Sequence, residues 1–301
     1  MTEPRDAEAR VRSCYSTWGA SYYDNYYSEK AAYPPVHRDL LLAALRAHGA
    51  KRLLDAGCGP ASFLRDVDHR QLDVYGFDLT PEMVAEARRV LSAQGVPEDH
   101  VWEGSVLDNA SFDRPESPAG PFDAAVCVGV LPHVPQESDS TVIENLRNAV
   151  RPGGFVALEA RNQLFALFTL NRYSHEFFLR ELIREQEMRP ALGEDLWAEI
   201  DQAMRGQFRM DLPPTRKGTS GEPGYDEVLS RTHNPHVLRD QLISAGFGQV
   251  KLLFYHFHCL PPLFAARAPE VFRERSLAME DPNDWRGFYM ASAFLLTGIR
   301  S

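Results

Sequence analysis

The sequence predicts an α/β fold built on a doubly wound, mostly parallel sheet, and three observations predict it. Short apolar runs alternate with longer amphipathic stretches from about residue 36 onward. The run at Leu53–Ala56 breaks into a turn carrying Gly57 and Gly59. Two acids, Asp55 and Asp78, stand at the ends of successive apolar runs, where ligands of open α/β sheets bind.

In chain order, residues 1 to about 10 read as a frayed lead-in to an aromatic-rich stretch with Tyr22, Tyr23, Tyr26 and Tyr27. Val36, Leu40, Leu41, Ala44 and Leu45 then repeat at helical period. "RLLDAG" reads as a buried strand, "SFLRDVDHR" as a helix and "LDVYGFDLT" as a second strand. "PEMVAEARRVLSAQG" is a helix with Pro81 in its first turn and Gly95 past its end. "HVWEGSV" and "FDAAVCVGVL" give strands three and four, and "ENLRNAVRPGGFVALEA" a helix, a Gly-Gly turn and a fifth strand.

From Arg161 to about His233 the alternation stops. Two or three helical segments are expected in "LFALFTLNRYSHEFFLRELIREQ" and "GEDLWAEIDQAMRGQF", and a mobile Pro/Gly-rich loop in "DLPPTRKGTSGEPGYDE". About seventy residues exceed an ordinary connection, so this stretch reads as a helical insertion over the ligand cleft. "NPHVLRDQLISAGF" resumes the pattern as a helix, followed by strands in "QVKLLFYHFH" and "FYMASAFLLTGIR". The expected organisation is a cap segment at 1–35, a core at 36–160 and 233–301, and an insertion at 161–232.

A net charge of −10 and the absence of any run of Lys and Arg argue against nucleic acid. Cys14, Cys58, Cys127 and Cys259 are scattered without a CxxC pair, which reads as reduced thiols in a cytoplasmic protein. No apolar run approaches the roughly 20 residues that span a bilayer, and the acidic N-terminus is no signal peptide.

The glycine turn departs from a dinucleotide cradle, because Ser62 stands where a third glycine would allow close helix packing. Asp55 would also repel a pyrophosphate at short range, whereas it suits a cofactor bearing an ammonium and a sulfonium. Asp78, 23 residues on, is placed to accept both hydroxyls of a ribose in either kind of site.

"LLDAGCGPASFL", "VYGFDLTPEMVAEAR", "VWEGSVLD", "FDAAVCVGVLPHV", "LRNAVRPGGFVALE" and "LRDQLISAGF" together resemble, in order and spacing, the successive motifs of class I S-adenosylmethionine-dependent methyltransferases. The resemblance covers residues 15–159 and 233–300. It implies a seven-stranded, Rossmann-like sheet with an antiparallel last strand. By that resemblance Asp55, Gly57, Cys58 and Gly59 hold the methionine part of the cofactor and Asp78 the ribose. Leu79 or Met83 packs on adenine, Gly104, Ser105 and Val106 lie at its edge, Cys127 contributes backbone near the amino group, and Tyr22 folds over the cofactor. The family often has an acid where Ser105 stands, so this position departs from its pattern.

Methyl transfer needs alignment and exclusion of water, and a base only if the acceptor holds a proton. His133, after the fourth strand, is the candidate base, with the alternative that it bonds a backbone carbonyl at a helix start. Tyr26, Glu159, Arg161 and His256 are candidate acceptor contacts. Arg161 could grip an acceptor carboxylate or phosphate, or else anchor the insertion through an ion pair. His256 and His258 lack the further ligands of a zinc site, so no metal is expected.

The expected activity is methyl transfer from S-adenosylmethionine to oxygen or nitrogen of a small molecule, leaving S-adenosylhomocysteine. Carbon methylation, a cofactor-sensing protein without transfer, and a nicotinamide-dependent oxidoreductase are the alternatives. The acceptor, and the choice between monomer and homodimer, are not set by the sequence.

Overall fold

A computed structural model describes residues 4–16, 19–28, 33–113, 121–211 and 228–301. Seven strands form one sheet in the order β3-β2-β1-β4-β5-β7-β6. Inside the sheet, beside the central β4, lies β1 (Arg52–Ala56), whose Leu53, Leu54 and Ala56 are fully buried. Burial on both faces is what a near-continuous apolar run demands of a parallel strand. β1 pairs in parallel with β2 (Asp73–Asp78) on one side and β4 (Phe122–Cys127) on the other. β2 pairs with β3 (Val101–Glu103) and β4 with β5 (Val150–Arg161), again in parallel. The strand order therefore reverses at β1 and β4, and the crevice beyond their carboxyl ends is where such sheets take ligands.

The chain groups into two compact units, one of Met1–Arg161, Arg216–Leu253 and Phe294–Ser301, the other of Asn162–Thr215 and Phe254–Ala293. Residues 254–293, read from sequence as part of the core, thus cluster with 162–215.

In the first unit, α1 (Pro4–Tyr15) replaces the frayed lead-in of the sequence reading. It buries Ala7 and Cys14, one face at i, i+7. α2 (Gly19–Tyr26) carries Tyr22, Tyr23 and Tyr26, with Tyr27 just past its end, and the rings of Tyr22 and Tyr26 lie 4.9 Å apart, as i, i+4 spacing predicts. α3 (Val36–His48) ends at Gly49, whose φ of 72° closes it with bonds to the Leu45 and Arg46 carbonyls.

The helix expected after β1 is absent. Gly57 and Gly59 take φ of 83° and 53°, and Ala61 takes 57°, so three left-handed residues within five keep the chain turning. Only a single 3₁₀ turn, Leu64–Asp66, follows. α4 (Pro81–Ser92) starts on Pro81 as predicted and buries Met83, Val84, Ala87 and Leu91. α5 (Asp139–Ala149) leads straight into β5, which includes the Gly153–Gly154 stretch expected to be a turn before it.

The second unit holds α6 (Ala166–Thr169), α7 (Arg172–Phe177), a π-helical turn at Phe178–Ile183, α8 (Glu185–Leu192) and α9 (Glu194–Arg205). Leu170 and Arg184 at φ of 52° and 57° cut the long helical pattern into these pieces. Asn171 caps α7, and its carboxamide oxygen also accepts from Thr169 Oγ1 at 2.9 Å. The Pro/Gly-rich loop lies mostly in 212–227, outside the described residues.

α10 (Pro235–Ser244), capped by Asn234, belongs to the first unit and precedes β6 (Phe247–Phe257). α11 (Pro269–Leu277) and α12 (Gly287–Met290), not foreseen in the sequence, connect β6 to β7 (Ala291–Arg300). The Arg300 guanidinium donates to the Val150 carbonyl at 2.6 Å and the Asn162 amide to Ser292 at 2.9 Å, so β7 runs against β5. Among the described residues, no helix is long and apolar enough to cross a membrane.

Candidate active site

A cavity of about 950 Å³, counting space open to solvent, lies at the carboxyl ends of β1, β2 and β4, and all of its lining belongs to the first unit. The β1 turn supplies Gly57, Cys58 and Gly59, and the turn is fixed from below, because the Gly57 and Cys58 amides both donate to the Phe77 carbonyl at 2.9 Å. Asp78, at the end of β2, accepts from the Gly59 amide through Oδ2 and from the Thr80 amide through Oδ1, each at 2.9 Å.

Leu79 and Met83 enter from the start of α4, and Gly104, Ser105 and Val106 from the end of β3. With Phe77 they give one end of the cavity an apolar lining suited to a flat base.

The other end is acidic. Asp55 is 3% exposed, and burial, with the Asp78 charge adding to it, pushes its carboxyl up to about 8. Asp78 is also raised by burial, against the pull of the amides that it accepts from. Among the described lining residues the acidic side chains are Glu8, Asp55 and Asp78, with no Lys or Arg. Such a cavity repels a pyrophosphate and stabilises a cation.

His133 follows β4 in a short 3₁₀ turn and is buried. Its Nδ1 donates to the Leu229 carbonyl at 2.7 Å, which leaves Nε2 as the acceptor of the Tyr15 hydroxyl at 3.0 Å. Burial lowers its pKa to about 4, offset in part by the Leu229 carbonyl and reinforced by Arg161, so the ring is neutral at neutral pH. Of the two readings of this residue, the structure shows the bond to a backbone carbonyl, with the second nitrogen facing Tyr15.

Tyr22 lines the cavity, and burial raises its hydroxyl, followed by the charge of Glu159. Glu159 lies one step behind, its carboxylate accepting from the Gly129 amide. Arg161 donates to the Ser230 hydroxyl and acts on Tyr15, Tyr22 and His133 through its charge. Five sequence candidates are not among the lining residues: Glu159 and Arg161, just described, and three more. Cys127 is fully buried under the cavity, Tyr26 is 41% exposed beyond Tyr22, and His256 belongs to the second unit, at φ of 58°.

Glu8, Val11 and Tyr15 are lining residues missed in the sequence. Their spacing of three and four residues, one stripe of a helix, was the available signal.

The residues fit S-adenosylmethionine. Asp55 and the glycine turn would hold its cationic amino-acid end, Asp78 the ribose diol, and Leu79, Met83 and Val106 the base. This sheet, with its glycine turn and two strand-end acids, is similar to the cofactor-binding domain of class I S-adenosylmethionine-dependent methyltransferases. Residues 53–154 match the methyltransferase-domain family model.

The chain is 33% identical over 148 residues to the ubiquinone biosynthesis O-methyltransferase of Xanthomonas axonopodis pv. citri (strain 306), covering 49% of this chain and 58% of that protein. It is 25% identical over 170 residues to the protein of that name from Xylella fastidiosa (strain M23), covering 56% and 65%. The chain thus spans about three fifths of the length of these curated relatives. The magnesium protoporphyrin IX methyltransferase of Synechocystis PCC 6803, solved with bound SAM, is alike in fold, with a TM-score of 0.51, 15% identity and full coverage of both chains.

Proposed function

We propose that the protein transfers a methyl group from S-adenosylmethionine to a hydroxyl oxygen of a small-molecule acceptor and releases S-adenosylhomocysteine. The observation that carries this reading is the state of His133: neutral, with Nδ1 tied to Leu229 and Nε2 already accepting from an O–H group, that of Tyr15. The ubiquinone biosynthesis relatives, named as O-methyltransferases, support an oxygen acceptor.

When bound, the cofactor supplies a methyl carbon activated by a positively charged sulfur. An acceptor hydroxyl aligned with that methyl would give its proton to the Tyr15 oxygen as the Tyr15 hydroxyl proton moves to Nε2 of His133, whose one lone pair that hydroxyl already occupies. A strong base is not required, because an alkylated hydroxyl is a strong acid. What matters is that the ring be neutral and aimed, and burial with the Leu229 carbonyl secures both. Tyr15 and Tyr22 line the cavity beside His133 and exclude water from it.

Arg161, beside this aromatic group, would orient an acceptor bearing a carboxylate or phosphate. The acidic chain disfavours nucleic acid as the acceptor.

Incubation of the purified protein with the cofactor and fractionated metabolites tests the reading. Methylated oxygen in the product, with stoichiometric S-adenosylhomocysteine, is the expected outcome, and methylation confined to amines or carbon would overturn it.

A further inference from the structure

We infer that Glu8 of α1 recognises the exocyclic amine of the cofactor's adenine, supplying from the N-terminal helix the carboxylate absent after β3. The inference rests on the proposed use of S-adenosylmethionine.

Position 105, at the base-binding end of the cavity, carries a hydroxyl rather than an acid. That hydroxyl is already committed: Ser105 Oγ donates to Glu8 Oε1 and accepts from the Leu107 amide at 3.0 Å. The Ser105 amide in turn donates to Ser111 Oγ at 3.0 Å. Ser105 therefore acts as a bracket that fixes a carboxylate from elsewhere in the chain at the rim of the apolar slot.

Glu8 lines the cavity, and its second oxygen takes no hydrogen bond from the described residues. No Lys or Arg stands among the described lining residues to compete for it. A carboxylate can only accept, and adenine presents an N–H donor at its six-position, whereas hypoxanthine presents an oxygen there. Glu8 thus favours an amino base and repels a 6-oxo base. Val11 and Tyr15, one and two turns further along α1, line the same cavity, which holds the helix in register for this contact.

The test is calorimetric, with S-adenosylhomocysteine and its 6-oxo counterpart, S-inosylhomocysteine, titrated into the full-length protein. The wild type should prefer the adenine compound by about ten- to a hundred-fold, the range for a hydrogen bond to a charged group. Glu8→Gln, whose amide can either accept or donate, should erase most of that preference, while Asp78→Ala should weaken both ligands and keep it. A Glu8→Gln protein of unchanged thermal stability that keeps the full preference would overturn the inference, whether or not both affinities fall together. Failure of the wild type to bind either compound would instead overturn the cofactor reading beneath it.

Discussion

Tyr15 and His133, 118 residues apart in the chain, share a hydrogen bond of 3.0 Å and edge-to-face rings with centroids 5.6 Å apart. The bond leaves the imidazole one tautomer, since its other nitrogen is held by Leu229. His133→Gln is expected to lower kcat by about 10²- to 10⁴-fold, the usual contribution of a positioned base, without changing the dissociation constant for S-adenosylhomocysteine. Steady-state kinetics and calorimetry check the two halves, and a kcat within a few-fold of wild type would remove His133 from the chemistry.

Cofactor affinity should depend on pH through Asp55. Its carboxyl, raised to about 8 in the free protein, must lose its proton to face a cation, so binding releases a proton below that pH. Affinity for S-adenosylmethionine should rise about tenfold per pH unit up to about 8 and then level off. In Asp55→Asn the slope should vanish and the affinity fall. Titrations in buffers of different ionisation enthalpy measure the proton directly.

The same group sets a stability trend of the opposite sign. A carboxyl with a folded pKa above its unfolded value, roughly 3.9, favours the folded state fully below that value and loses this contribution as pH rises through the folded pKa. Melting of the ligand-free protein should therefore drop between about pH 4 and 8, less so in Asp55→Asn. Saturating S-adenosylmethionine should reduce the drop.

Buried Asp139 pairs with the half-buried Arg231 at 2.5 Å, and the Arg231 Nε also donates to the Val134 carbonyl at 2.7 Å. The Arg231 amide donates to Pro132, so this residue fastens the segment bearing Leu229 to the loop bearing His133. Asp139→Ala leaves the guanidinium without its counter-charge and should cost about 3–5 kcal/mol in denaturant unfolding.

Asp78→Ala should weaken S-adenosylhomocysteine by about one to three kcal/mol, because a ribose diol would lose a charged acceptor and the Gly59 and Thr80 amides their partner. Equal affinity in the variant would place the ribose elsewhere.

What the sequence disclosed follows from range of interaction. The strands were legible because Leu53, Leu54, Ala124 and Ala125 sit in short apolar runs, and Asp55, Asp78 and His133 because they follow those runs directly. Glu8 and Tyr15 were not, since the partners that give α1 a role, Ser105 and His133, lie about a hundred residues away. Nor could the pattern of "SFLRDVDHR" reveal that Ala61 would take a left-handed conformation and stop a helix from starting.

Gly57 touches more than a ligand. A methyl group there would lie 2.3 Å from Cγ2 of Val130, and Val130 begins the turn whose carbonyl accepts from the His133 amide at 2.9 Å. The glycine is thus a spacer between the turn proposed to hold the cofactor and the loop that carries His133. Enlarging it would misalign the two halves of the reaction even in a protein that still fills its cofactor site.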